Sequence, residues 1–473
     1  MSEEEHRCLA GYAALEKAAQ RFETRDARHQ RVEHLPYLRT SRFLASFDTR
    51  ALSEAAYRQW LFHHHALAVE GLTIEWKRLP IAGKQPLDRY WPSKERAFKR
   101  KLKQCGALLL AHQAERPRLT HIAAQDHYQT WKRWVGLYPL AAIPFYHGVV
   151  SEQTMIRRRQ NVFNDKLNTA DITSASGLAA ESDSPSWTRF TGPIPALSPV
   201  EALGQLRQQP LDALGVPQLS EAAREQLVDA FMPTLAIENT DNTLADNDRP
   251  VQLTASRGAV ARNPDQPTLY THISLGRYRD QVTLQLNYSV WFSERRPEGL
   301  LDWLAGQYNG ITWRVHLLPS GAVVGYDKMH QCGCWYQFFP AMGFRPRPQL
   351  PLAQEPFNIG RTLDPRERHT LWLEANTHHL LGVSAAPGSE TGTAMEVHPY
   401  SDLRALETPE GPSQSPFDSR GLIPASRRPE RWIFWPMGIA SPGALRIHGT
   451  HAIAFIGRRH FDDPRLLREL GLE

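Results

Sequence analysis

The residues best suited to chemistry crowd into 326–340, where Tyr326, Asp327, Lys328, Met329, His330, Gln331, Cys332, Gly333, Cys334 and Trp335 follow one another. Two of the chain's 4 cysteines lie here, separated by one glycine and preceded by a histidine. Alternate side chains of an extended strand share a face, so His330, Cys332 and Cys334 are expected to project together. An imidazole and two thiolates suit zinc, or another transition metal such as copper or iron. Alternate Cα atoms in a strand stand about 6.6 Å apart. Two sulfurs each about 2.3 Å from one zinc must come closer than that, and Gly333 supplies the bend. Asp327 is spaced to orient His330 or to serve as general base.

Groups that would complete such a site lie further along. His448, His451 and His460 fall within a short span with Asp462 and Asp463. His451 and His460 are candidate catalytic residues beside Asp327, as shell ligands or proton carriers, and Asp462 is spaced to orient His460. The same segment admits other readings. Cys332 or Cys334 is a candidate nucleophile with a histidine as base. Both cysteines also fit a buried apolar core with Trp335, Tyr336, Phe338 and Phe339. A Cys332–Cys334 disulfide is geometrically awkward. His63, His64 and His65 sit about 100° apart on a helix and cannot share one ion. His378, His379 and His398 are weaker candidates. Asn287-Tyr288-Ser289 matches a glycosylation pattern but falls in a strand.

The surrounding pattern sets the elements that must position these groups. Residues 1–165 read as helical, with Leu9, Tyr12, Leu15 and Ala19 on helical spacing and Ser53 as an N-cap. Further helices are predicted over about 93–114 and 124–135. Residues 166–267 form a polar linker with short helices near 199–208 and 219–231. From about 268 the period becomes two. Val282, Leu284, Leu286, Tyr288, Val290 and Phe292 alternate with polar neighbours, and a hairpin follows across 318–321. The fold class is therefore α+β, with a helical N-terminal half and an antiparallel β-rich C-terminal half over 268–473.

Composition narrows the partners. In 473 residues, 55 Lys and Arg against 50 Asp and Glu leave a net charge of +5, too diffuse to suggest nucleic acid. The basic run 94–103 reads as a solvated helix face, with anionic lipid as the sharper alternative. The apolar stretch 134–150 carries two prolines and a histidine. It reads as a buried, kinked element before an interfacial or spanning one. The acidic start is wrong for a secretory signal, so a cytoplasmic protein with reduced thiols is expected. No phosphate-binding Gly-rich loop, dinucleotide fingerprint, Gly-x-Ser-x-Gly elbow or His-Glu-x-x-His motif occurs.

Several blocks together are similar to a family of long bacterial proteins with no assigned activity. They are Pro36-Tyr37-Leu38-Arg39 with 42–47, Gly136-Leu137-Tyr138-Pro139-Leu140, 326–340, and Trp435-Pro436-Met437-Gly438 through 459–463. The resemblance implies a bacterial source and supplies no catalytic residues. The leading expectation is a metal-dependent hydrolase or oxidoreductase acting on an unassigned small molecule. A thiol-dependent enzyme is one alternative, and a non-catalytic ligand-binding or peripheral membrane protein another. The oligomeric state is left unassigned.

Overall fold

The computed structural model of the chain describes residues 1–120, 122–169, 186–256, 259–299, 302–347, 354–386, 391–409 and 411–472. Residues 170–185, in the first part of the linker expected over 166–267, lie outside them. The main helices are α1 (Glu3–Arg21), α2 (Glu54–Arg78), α3 (Glu95–Ala114), α4 (Thr130–Val135), α5 (Tyr138–Thr169), α6 (Pro199–Arg207) and α7 (Glu221–Ala230). Their starts obey local chemistry. The Ser53 hydroxyl accepts the Ala56 N–H at the head of α2. Ser2 with Glu5 and Ser198 with Glu201 form reciprocal capping boxes. One face of α3 carries the basic run in water while Phe98, Leu102 and Leu109 are buried, as a solvated helix face requires.

Two larger sheets carry most of the β structure, beside a two-stranded antiparallel pair of Gln252–Ser256 with Ala259–Asn263. Their strands are β1 (Trp187–Thr191), β2 (Thr234–Glu238), β3 (Thr268–Tyr278), β4 (Gln281–Arg295), β5 (Gly306–Leu317), β6 (Val323–His330), β7 (Gln337–Pro340), β8 (Asn358–Ile359), β9 (His369–Leu373), β10 (Leu380–Ala385), β11 (Thr393–Ala394) and β12 (Glu396–Pro399). The larger sheet runs β8-β7-β6-β5-β4-β3-β12 and the smaller β10-β9-β2-β1-β11. Pairing from β3 through β7 is antiparallel throughout. The chain is α+β, as its periodicity predicts. Near the end of the chain Ala452 and His460 pair only as an isolated bridge.

Alternation explains the layering. Leu284, Leu286, Tyr288, Val290 and Phe292 of β4 join Ile311, Trp313 and Val315 of β5 in one core with Leu203, Leu227, Leu235 and Leu371. The opposite face of the same strands is polar and also buried. Register places Asn287 beside Arg314 and Arg314 beside Asp327. Residues from 440 onward cover this face, with Phe461 over the Arg314 guanidinium.

Two expectations are corrected. Cys8 of α1 and Cys105 of α3 form a disulfide, so the four cysteines are not all free thiols. The stretch 134–150 is not a buried kinked element. It spans the end of α4 and the first half of α5, with Pro144 inside the helix. Trp134, Val135, Leu137, Leu140 and Ile143 are all exposed. No helix among the described residues is long and apolar enough to cross a membrane. The disulfide closes a span of 97 residues. Replacing both cysteines by serine is therefore expected to lower the unfolding free energy by about 2–4 kcal/mol in urea titrations under non-reducing conditions. Unchanged stability would mean that the link constrains nothing the fold does not already fix.

Candidate functional site

Strand β6 ends at His330, and the cysteines lie in the turn that follows. The Gly333 N–H donates to the His330 carbonyl at 2.8 Å, and the His330 N–H donates to the Cys334 carbonyl at 3.0 Å. Gly333 has φ +91°, and a Cβ there would meet the Ala452 carbonyl oxygen at 2.4 Å. Only glycine combines that backbone with that approach. Trp335 also takes positive φ, so strand alternation is lost between His330 and Tyr336.

The common face expected for His330, Cys332 and Cys334 therefore does not form. The His330 ring packs 4.8 Å from Trp335 and 5.3 Å from His379, measured between ring centroids. Among the described residues no group of three or more His, Cys, Asp or Glu side chains is arranged to hold a metal ion. The expectation of a metal-dependent enzyme built on zinc or another transition metal is overturned by that arrangement. Its physical cause is the turn, which folds the sulfurs out of line with the imidazole.

The turn instead brings the cysteines to each other. The Cys334 N–H donates to Cys332 Sγ at 3.3 Å. Burial by itself would raise the Cys332 thiol. A hydrogen bond from Cys334 and the nearby Arg428 and Arg446 guanidinium groups outweigh it and bring the thiol down to about 7. Cys334 moves the other way, because it donates to Cys332 and is itself desolvated. The buried Lys328 ammonium is brought down to about 7 by burial, with the Cys332 and Cys334 charges opposing the shift.

Cys334 opens onto a cavity of about 470 Å³. Its apolar wall includes Phe145 and Val149 of α5 with Phe434 and Phe455. Glu152, Glu355, Glu430 and Asn358 supply polar groups, and no Lys, Arg or His is among the lining residues described. Burial pushes the Glu355 carboxyl up to about 7 even though it accepts the Phe455 N–H at 2.6 Å. Burial, then the neighbouring Cys332 charge, push Glu430 up to about 8. Glu430 is 2% exposed, and its Oε1, like Asn358 Oδ1, has no hydrogen-bond partner among the described residues. The cavity thus presents two carboxyls that burial pushes toward the neutral form, the Cys334 thiol and aromatic walls.

The residues expected to complete the site go elsewhere. Asp327 accepts from Arg314 Nε at 2.8 Å, from His316 Nε2 at 3.0 Å and from the Tyr336 hydroxyl at 3.0 Å. Burial alone would raise its carboxyl, but Arg314 and His316 hold it down at about 2. His451 Nε2 donates to the Gln331 carbonyl at 3.1 Å. His460 Nε2 stands 3.3 Å from Asp126 Oδ1, while Asp462 pairs with Arg42 instead. His63 meets Asp212, and His64 and His65 bond to the carbonyls of Trp60 and Tyr37, so the three diverge as helical geometry dictates. A second, smaller cleft of about 190 Å³ lies between the helical layer and the sheet, with His29, Arg42, His127, His448 and Asp462 among its walls.

Sequence reasoning missed Glu355 and Glu430. Glu430 stands in Arg427-Arg428-Pro429-Glu430-Arg431, which reads as a solvated charge cluster. No local signal marks it as buried. No protein family, curated protein or solved structure matches the chain.

Two outcomes follow from these charges. The folded state binds a proton at Glu430 more tightly than the unfolded chain, whose carboxyl titrates near 4.5. Stability contributed there falls as pH rises from about 4.5 to about 8 and is level above. Glu430→Gln is expected to gain on the wild type across that window and to be more stable by at least about 1 kcal/mol at its alkaline end in denaturant titrations. A gain independent of pH would contradict this. Asp327→Ala leaves Arg314 buried and uncompensated, so a loss of about 3–5 kcal/mol is expected in the same assay.

Proposed function

We propose that this is a peripheral membrane-binding protein whose cavity receives an uncharged or cationic amphiphile from the bilayer. One observation carries the reading: a cluster of large apolar side chains left in water on α4, the start of α5 and the short helix Arg431–Phe434. Trp131 is 62% exposed, Trp134 79%, Leu140 68% and Trp432 68%, with Val135, Leu137, Ile143 and Ile433 also exposed. The Phe145 and Phe434 rings meet at 5.5 Å, which ties the two segments together. Soluble proteins seldom leave so many large apolar groups uncovered in one place without a binding role. Tryptophan suits the interface between water and lipid because its ring is apolar and its N–H polar. Lys132 and Arg431 lie beside the patch residues in sequence. They complement anionic headgroups, as in interfacial amphipathic helices.

The ligand class follows from the same helix. The first half of α5 contributes Leu140 and Ile143 to the exposed cluster and Pro144, Phe145, Gly148 and Val149 to the cavity. An amphiphile leaving the bilayer there meets an aromatic interior with no lining cation among the described residues. The absence of any lining cation among the described residues disfavours phosphate or carboxylate ligands.

Co-sedimentation with vesicles of equal parts phosphatidylcholine and phosphatidylglycerol tests the reading. The protein is expected to pellet at low salt, and Trp134→Ser with Trp432→Ser to weaken binding about tenfold or more. An indole removes on the order of 200 Å² from water when buried. Losing a third of that benefit already exceeds about 1.4 kcal/mol. Protein that stays in the supernatant overturns the proposal. So does a dimer that these substitutions dissociate without any vesicle binding, which would assign the patch to a second copy.

A further inference from the structure

We propose that Cys332 and Cys334 are a redox-active dithiol, which reduces small uncharged disulfides entering the cavity and closes to an intramolecular disulfide. The inference uses the cavity but not the bilayer, so its test is independent of membrane docking.

Three features carry it. The sulfurs are neighbours in a turn, where the Cys334 N–H reaches Cys332 Sγ at 3.3 Å. Gly333, with φ +91°, has no Cβ to resist the tightening that a bridge requires. The two sulfurs also differ in access: Cys334 lines the cavity, whereas Cys332 is 4% exposed and lies behind it. This is the asymmetry of an attacking thiol backed by a resolving one. The buried Glu430 lines the same space as Cys334.

The reaction balances with the dithiol as reductant. Cys334 passes its proton to Cys332 along the hydrogen bond between them and attacks one sulfur of the entering disulfide; the ligand S–S bond breaks and one half takes that proton from Cys332 and leaves as a thiol. Cys332 then attacks Cys334 Sγ, the mixed disulfide breaks, and the second half leaves as a thiol. The two protons that the cysteines lose are carried by the two product thiols. The ligand disulfide is reduced by two electrons, and the protein dithiol is oxidised by two. Turnover requires a separate dithiol to reduce the protein again.

Selectivity follows from the lining. With no lining cation among the described residues, an anionic disulfide such as oxidised glutathione is disfavoured relative to a neutral one, because its carboxylates lose water without gaining a partner.

The test incubates the folded full-length protein with bis(2-hydroxyethyl) disulfide, then alkylates it under denaturing conditions and maps its peptides by mass. The expected product links Cys332 to Cys334 and leaves the Cys8–Cys105 peptide pair unchanged, at a rate about tenfold higher than with oxidised glutathione at equal concentration. Cys332→Ser is expected to trap one mercaptoethanol on Cys334, whereas Cys334→Ser traps none until unfolded. Wild-type cysteines that stay free in the folded protein overturn the inference. So does wild type that carries a separate adduct on each cysteine without the internal link. The wild-type measurement stands alone if a variant does not fold.

Discussion

Arg314 and Asp327 face each other across neighbouring strands in a sheet covered on both sides. A half-solvated antiparallel sheet sends its polar face to water, and this one cannot. Each polar side chain on that face needs a partner within the protein, because an unpaired buried charge is far more costly than a paired one. Asp327 meets the demand with Arg314, His316 and Tyr336, and Arg314 Nη1 donates to the Phe461 carbonyl at 2.7 Å. The C-terminal segment is thereby fastened over the sheet by charge and ring contact together. Its path also brings Arg446 to the Gln331 carbonyl, beside the cysteine turn. The site's geometry is downstream of that cover.

The turn itself shows how one residue redirects chemistry. Were 330–334 extended, three donors would share a face; with Gly333 in the left-handed region, the sulfurs turn toward each other and the imidazole packs among rings. Arg428, held by the Tyr308 carbonyl, and Arg446, held by the Ala440 and Ser441 carbonyls, surround the thiols with fixed positive charge. The cavity on the other side carries Glu355 and Glu430, whose carboxyls burial pushes up. Cations behind the sulfurs and carboxyls in front of them give the pocket its polarity.

Much of the fold was legible because it depends on short-range pattern. Period-two alternation over 282–292 marks β4, Ser53 marks the head of α2, and the turn at 318–321 marks the β5–β6 hairpin. The site was legible only as a composition. That Cys332 and Cys334 matter is visible in the spacing, but the direction of their side chains depends on the φ of Gly333 and on the Ala452 carbonyl, far along the chain. Glu355 and Glu430 carry no local mark of burial. Residues 134–150 were misread because apolar content alone does not say whether the covering surface belongs to the chain. The pairing of Cys8 with Cys105 depends on α1 packing against α3, which no spacing rule fixes.

The two sheets differ in how far apart in the chain their partners lie. From β3 to β7 each strand pairs with the next, so the larger sheet grows by successive local hairpins. The smaller one needs β2 alongside β9, Thr234 against Thr370, with the whole meander in between. Closing so long a loop is entropically slow, whereas neighbouring hairpins assemble quickly. During synthesis the meander can therefore form as soon as its own strands emerge. The first strands of the smaller sheet must wait with their edges unpaired until β9 arrives, and that interval is when this chain is most open to mispairing with another copy.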